Sequence, residues 1–131
     1  MLDLDHFKSV NDTYGHTAGD LVLQEVARRV ESCLRQTDRL ARFGGEEIAV
    51  LMIELDEDHA AEVTQRVVEV IRDTPFEIGE GIQLPVTVSA GLATLTGAID
   101  SADTLMAEAD KALYAAKHEG RDRMVRASHK S

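Results

Sequence analysis

Residues 38–55 read Asp38-Arg39-Leu40-Ala41-Arg42-Phe43-Gly44-Gly45-Glu46-Glu47-Ile48-Ala49-Val50-Leu51-Met52-Ile53-Glu54-Leu55, and the tetrad Gly44 to Glu47 inside them decides the fold. Two glycines between apolar runs mark a hairpin tip, because glycine accepts the positive φ of a tight turn and lets a ligand approach the backbone. Asp38 to Phe43 and Ile48 to Leu55 are therefore predicted strands. Adjacent strand residues point to opposite faces, so at most one of Glu46 and Glu47 faces a given site. Acids at the mouth of an apolar strand suit a binding edge, but they equally suit a solvated turn.

A second acidic element lies at the start of the chain, Met1-Leu2-Asp3-Leu4-Asp5, with leucines and aspartates on alternate faces of a predicted strand. Asp5 precedes a short helical stretch beginning His6-Phe7-Lys8, and it is read as the N-cap. Asp3 has no such structural task. If its strand lies beside the hairpin, Asp3 and one glutamate converge at a sheet edge, where paired carboxylates suit a hard cation such as Mg²⁺.

Outward from these elements the pattern alternates between helices and strands. A helix from His6 to Tyr14 ends at Gly15, and a second from about Gly19 to Arg35 carries Val22, Val26, Val30 and Cys33 at helical spacing. A third, Asp58 to Arg72, carries Val63, Val67 and Val70, with Pro75 closing the linker after it. Phe76 to Leu84 reads as a hairpin around Gly79-Glu80-Gly81, and Val86 to Leu95 as a central strand. A last helix, about Ala102 to Glu119, puts Leu105, Ala109, Ala112 and Ala116 on one face, with Gly120 as its stop and Met124 to Arg126 as an edge strand. The expected class is α/β (α+β): a mixed or antiparallel central sheet covered by helices, close to a ferredoxin-like core. One domain over 1–126 and a tail over 127–131 are expected.

With 131 residues the chain can bury roughly two thirds of its unfolded surface. Its single cysteine, Cys33, excludes an internal disulfide and lies on a helical apolar face, as a core thiol does. No apolar run reaches the roughly 20 residues of a membrane span, and the acidic start is unlike a signal peptide, so a cytoplasmic location is expected. Asn11-Asp12-Thr13 matches a glycosylation sequon, which such a location makes irrelevant. The formal net charge of −10 argues against a nucleic-acid polymer as partner. It also disfavours a bare triphosphate, so a nucleotide site here needs metal ions and a few placed cations.

Five stretches occur in an order that resembles the GGDEF-domain diguanylate cyclases of bacteria: Asp3-Leu4-Asp5-His6-Phe7-Lys8, Asn11-Asp12-Thr13-Tyr14-Gly15-His16, Gly19-Asp20, Arg42-Phe43-Gly44-Gly45-Glu46-Glu47 and Ala116-Lys117-His118-Glu119-Gly120-Arg121. The resemblance covers nearly the whole chain. It implies a palm-type core like that of nucleotidyl cyclases, and condensation of two GTP molecules into cyclic di-GMP with release of pyrophosphate. Ile48 stands where the family usually has Phe, an apolar exchange within a strand. The family also has a helix and loop before the first strand, and usually an upstream sensory or receiver domain. Neither is present here, so a shortened catalytic domain is expected.

The resemblance also implies roles for residues. Asp3, Glu46 and the carbonyl of Leu4 hold metal, two Mg²⁺ per active site with Mn²⁺ as a substitute. Glu46 and Glu47 are the catalytic candidates, as ligand or base for the attacking 3′-hydroxyl. Asn11 and Asp20 match the guanine edge, with His16 nearby. Each has a plainer use as well: Asn11 in satisfying loop backbone, Asp20 in complementing a helix dipole, His16 as a packed residue. Phe7 and Lys8 belong to a strand-to-helix junction whose amides, from Leu4 to Lys8, face phosphate, and Lys117 and Arg121 match the triphosphate contacts. These two cations also suit a helix C-terminus without any ligand. Because two nucleotides attack each other, one domain offers a half-site and a homodimer is required. Arg35 and Asp38, an Arg-x-x-Asp pair shortly before the hairpin, match the family's inhibitory product site, with Arg66 as a helper; the same pair can be an ordinary surface ion pair. The competing reading of the whole chain is a weak or silent module that binds GTP or cyclic di-GMP and regulates a partner.

Overall fold

The computed structural model describes residues 1–96 and 101–127. Seven strands and four α-helices occur among them, in the order β1 Leu2–Leu4, α1 Phe7–Tyr14, α2 His16–Ser32, β2 Arg39–Arg42, β3 Glu47–Leu51, α3 Glu57–Asp73, β4 Phe76–Glu77, β5 Gln83–Leu84, β6 Val88–Leu92, α4 Ala102–His118 and β7 Arg123–Arg126. The tail expected at 127–131 lies, beyond Ala127, outside the described residues.

Five strands form one sheet in the order β2-β3-β1-β6-β7, antiparallel except for the parallel β6–β7 pair, and β4 and β5 form a separate ribbon. The sheet is therefore mixed, as expected. Its register sets two faces, because residues paired directly across strands share a side. Leu2, Ile48 and Ala90 are in register on one face, and they join Val22, Val26 and Val30 of α2 and Val67, Val68 and Ile71 of α3 in the main core. The other face carries Asp3, Glu47 and Ser89. There α4 lies directly on β6: a Cβ added at Gly91 would meet the α4 backbone at Ala109, Ala112 and Leu113. Both faces of β6 are thus covered, and every residue of the strand is buried rather than alternate ones.

Several boundaries differ from the sequence reading for local reasons. The hairpin strands stop at Arg42 and begin again at Glu47, leaving Phe43 to Glu46 as the turn with Gly44 at φ 113. Helix α2 starts at His16 rather than about Gly19, because Gly15, at φ 91, ends α1 and caps α2 at once. Asp5 does not cap α1. The N-cap is His6, in the left-handed region at φ 57 with no side-chain cap bond, and the Asp5 carboxylate is turned inward.

Candidate active site

The short β1 places Asp3 between β3 and β6 with only 2 % of its surface exposed. Residues at this depth on a central strand are ordinarily apolar, so a carboxylate here demands compensation. Lys117, in the last turn of α4, supplies half of it through an ion pair to Asp3 Oδ2. The other oxygen, Oδ1, is buried without a hydrogen-bond partner in the protein. Glu47 lies directly opposite Asp3 in register. Glu46, in the turn just before β3, is released from strict alternation, and its carbonyl accepts the Leu4 amide at 3.3 Å, pinning the hairpin tip to β1.

Burial pushes the Glu46 carboxyl above its ordinary value, and the negative charge of Asp3 adds to the shift; Lys117 opposes it and Glu47 reinforces it. A carboxyl raised by burial and by the negative charge of Asp3, next to a buried oxygen that no protein group satisfies, is a place where a cation would be stabilised. Among the described residues no group of three or more His, Cys, Asp or Glu side chains converges to hold a metal alone. Asp3, Glu46 and the Leu4 carbonyl still fit a hard divalent ion that draws its remaining ligands from substrate oxygens, as Mg²⁺ bound with a nucleotide does.

The junction after β1 is narrower as a phosphate site than the sequence suggested. The Leu4 amide is spent on Glu46 and the Asp5 amide on the Thr87 carbonyl at 3.0 Å, which leaves the amides of His6, Phe7 and Lys8 at the open start of α1. Phe7 is buried in the core, whereas the Lys8 side chain is exposed. Arg121 lies in the exposed turn after α4 at φ 64, its amide donating to the Ala116 carbonyl at 3.0 Å.

Helices α1 and α2 pack together around Asn11 and Gly19. Asn11 Oδ1 is buried and has no partner in the protein, and a Cβ at Gly19 would collide with it and stand 3.2 Å from Phe7 Cζ. Asp20 follows on α2, exposed, and His16 is exposed at the helix start. The amide and the carboxylate are thus brought to one helix pair, with Gly19 as the spacer that admits the amide.

Arg35 and Asp38 bind each other. Asp38, its side chain 1 % exposed, accepts from the Arg35 amide at 2.8 Å and from Nη2 at 2.8 Å, while Nη2 also donates to the Ile53 carbonyl at 2.7 Å. The hydrogen bond from Arg35 holds the Asp38 carboxyl below its ordinary range. Arg66 is exposed on α3.

Two residues prove central, one misread from sequence as an N-cap and one passed over. Asp5 joins β1 to β6 and to the turn after α4, a role signalled by the polar residues Thr87 and Ser89 beside an otherwise apolar strand. Arg29, on the apolar stripe of α2, is buried and donates to the carbonyls of Val70, Ile71, Thr74 and Pro75 at the end of α3, with its guanidinium 3.9 Å over the Phe76 ring. A lone Arg at core spacing was its signal.

The site is thus a mixed sheet edged by a two-glycine hairpin, with Asp3 on the middle strand beside Glu46 of the hairpin tip and a lysine from the last helix on Asp3. Residues 1–123 match the family described as "Diguanylate cyclase, GGDEF domain", and the chain belongs to that family. It is 40 % identical over 125 residues to Diguanylate cyclase A of Treponema denticola, covering 95 % of this chain and 33 % of that protein. The chain therefore spans about a third of that relative's length. Among solved structures it is similar to the GGDEF domain of YfiN (TpbB) from Pseudomonas aeruginosa, with a TM-score of 0.94 and 32 % identity over 98 % of this chain and 80 % of that one. It is also similar to the GGDEF domain of DgcB from Caulobacter crescentus, solved in complex with c-di-GMP, with a TM-score of 0.90 and 34 % identity over 96 % and 74 % of the two chains. No helix among the described residues is long and apolar enough to cross a membrane.

Proposed function

We propose that this domain condenses two GTP molecules into cyclic di-GMP. The observation that carries the proposal is the buried, half-satisfied Asp3 beside Glu46, held at the mouth of a glycine turn open to a ligand. In each of two symmetric steps the 3′-hydroxyl of one nucleotide attacks the α-phosphorus of the other. The new O–P bond replaces the bond to the β-phosphate, pyrophosphate leaves, and the hydroxyl proton goes to a base.

The residues divide this work. Asp3, Glu46 and the Leu4 carbonyl hold Mg²⁺, or Mn²⁺ in its place, at two ions per site, which when bound acidify the hydroxyl and offset charge on the leaving group. Glu46, whose carboxyl is already pushed toward its protonated form, takes the hydroxyl proton, with Glu47 behind it. Lys117 fixes the orientation of Asp3, and with Arg121 and the amides of His6 to Lys8 it neutralises the triphosphate. Asn11 and Asp20 read the guanine edge, one offering an amide and the other a carboxylate acceptor for N–H donors, with His16 beside them. One domain holds one nucleotide, so two copies must face each other. An upstream sensory or receiver domain, of the kind the family usually carries, would bring them together, in the cytoplasm.

Product inhibition is the regulatory half of the proposal. Asp38 is committed to Arg35, so its task is to aim the guanidinium, whose partly exposed side chain, with Arg66, meets a product phosphate.

The test is to fuse the domain to a dimeric coiled coil, supply GTP and Mg²⁺, and resolve the products by chromatography. Cyclic di-GMP and pyrophosphate in a ratio of one to two are expected, with Glu46→Gln lowering turnover at least about a hundredfold and Arg35→Ala relieving product inhibition. GTP binding without turnover would replace this reading by a silent regulatory module.

A further inference from the structure

Asp5 is a buried carboxylate that the chemistry above does not use. We propose that it is a positioning residue, which sets the cation-bearing turn after α4 against the strand-to-helix junction where triphosphate binds. The inference rests on the proposed GTP site. Asp5 is 7 % exposed and accepts three hydrogen bonds: Oδ1 from Ser89 Oγ at 2.6 Å, and Oδ2 from Thr87 Oγ1 at 2.7 Å and from the Asp122 amide at 3.0 Å. Its own amide donates to the Thr87 carbonyl at 3.0 Å. One side chain therefore ties β1 to β6 and to a turn more than a hundred residues away.

That turn needs a tie. Arg121 at φ 64 and Asp122 at φ 48 are consecutive residues in the left-handed region, which L side chains rarely adopt and which persists only where neighbours over-determine it. The Asp122 amide is held by Asp5, the Arg121 amide by the Ala116 carbonyl, and the Asp122 carboxylate lies 3.6 Å from Arg72 Nη1. On the other side of Asp5, His6 is also left-handed, at φ 57, and opens the junction whose free amides face phosphate. The two segments that carry the proposed phosphate contacts thus meet on one carboxylate. An apolar residue would fill this space without the cost of burying charge, but it would leave the turn untied.

Asp5→Asn tests this. The amide keeps the shape but not the charge: its oxygen still accepts from the Asp122 N–H and the Thr87 hydroxyl, and its NH2 donates to the Ser89 hydroxyl, so the tie to the turn survives only as a neutral bond in place of a charge-assisted one. Binding is measured calorimetrically with Mg²⁺ and 3′-deoxy-GTP, which cannot cyclise, and separately with 3′-deoxy-GMP. The expected result is an affinity loss of about tenfold for the triphosphate, the size of one charge-assisted contact, with the monophosphate affected less than about twofold. Equal losses for both nucleotides, or none, would overturn the proposal. If the wild type binds neither, the GTP site itself is refuted, and this inference with it. Should Asp5→Asn fail to fold, Thr87→Val removes one donor from the same oxygen, and a smaller loss confined to the triphosphate is expected; its absence is equally fatal.

Discussion

Glu25 on α2 and Glu46 at the hairpin tip are both partly buried glutamates near cations, yet their carboxyls are driven in opposite directions. Hydrogen bonds from Arg28 and Arg29 lower Glu25 from 4.5 to about 2, whereas burial and the charge of Asp3 raise Glu46 above 4.5. Around Glu25 the charges are closed: Arg28 grips it at 2.5 and 2.7 Å, and Arg29 at 2.8 Å, with the rest of the Arg29 fork spent on four carbonyls. Around Glu46 they are open, two acids sharing one lysine and a buried oxygen without a partner. The first cluster belongs to the fold, since it ties α2 to the end of α3 and needs nothing further. The second leaves buried charge uncompensated by the protein, which costs stability and is a feature of functional sites rather than of the fold.

The largest expected effect breaks the closed cluster. Arg29→Met strands four carbonyls at the end of α3 and should cost about 2–4 kcal/mol in urea unfolding, while leaving nucleotide affinity per folded molecule unchanged. Lys117→Met, which strips the open cluster of its cation, should cost less, about 1–3 kcal/mol, because the lysine is partly exposed, and should weaken GTP binding as well. A loss of affinity from Arg29→Met, or none from Lys117→Met, would blur the distinction between fold and site.

Acidification sharpens the contrast at smaller scale. A carboxyl depressed on folding contributes stability that is complete above its unfolded value and lost as pH falls through its folded value. Glu25 therefore supports the fold above pH 4.5 and stops doing so on approach to about pH 2. Glu25→Gln should lower the Tm at pH 7, with the difference from wild type vanishing across that window; a difference independent of pH would mean that packing, not charge, matters at this position.

Much of the fold was legible because its signals are local. Glycines at 44–45 fixed the hairpin, valines at helical spacing gave α2 and α3, and Gly120 ended α4 near the expected place. The pairing of Asp3 with the hairpin was legible only as a condition, that β1 lie beside the hairpin, and the β1–β3 register meets it. What sequence could not give was the task of a charge defined by distant partners. Asp5 looks like an N-cap because it precedes a helix, and its true partners lie 82 to 117 residues away. Arg29 hides in a stripe of valines, and its acceptors are backbone carbonyls that carry no sequence mark. Burial of both faces of β6 likewise follows from α4 crossing at Gly91, a tertiary event that alternation cannot announce.

Thermal unfolding of wild type and Glu46→Gln, each with and without Mg²⁺ and 3′-deoxy-GTP, tests the open-site account most directly. A carboxyl raised on folding opposes stability once ionised, so without ligand near pH 7.5 the variant should have the higher Tm, an advantage that closes as pH falls through 4.5 and Glu46 becomes protonated in both states. With metal and nucleotide the order should reverse, because only the wild type gains the ligand's full stabilisation. A variant no more stable than wild type alone, and raised as far by metal and nucleotide, would contradict the claim that Asp3 and Glu46 form a cation site awaiting its substrate.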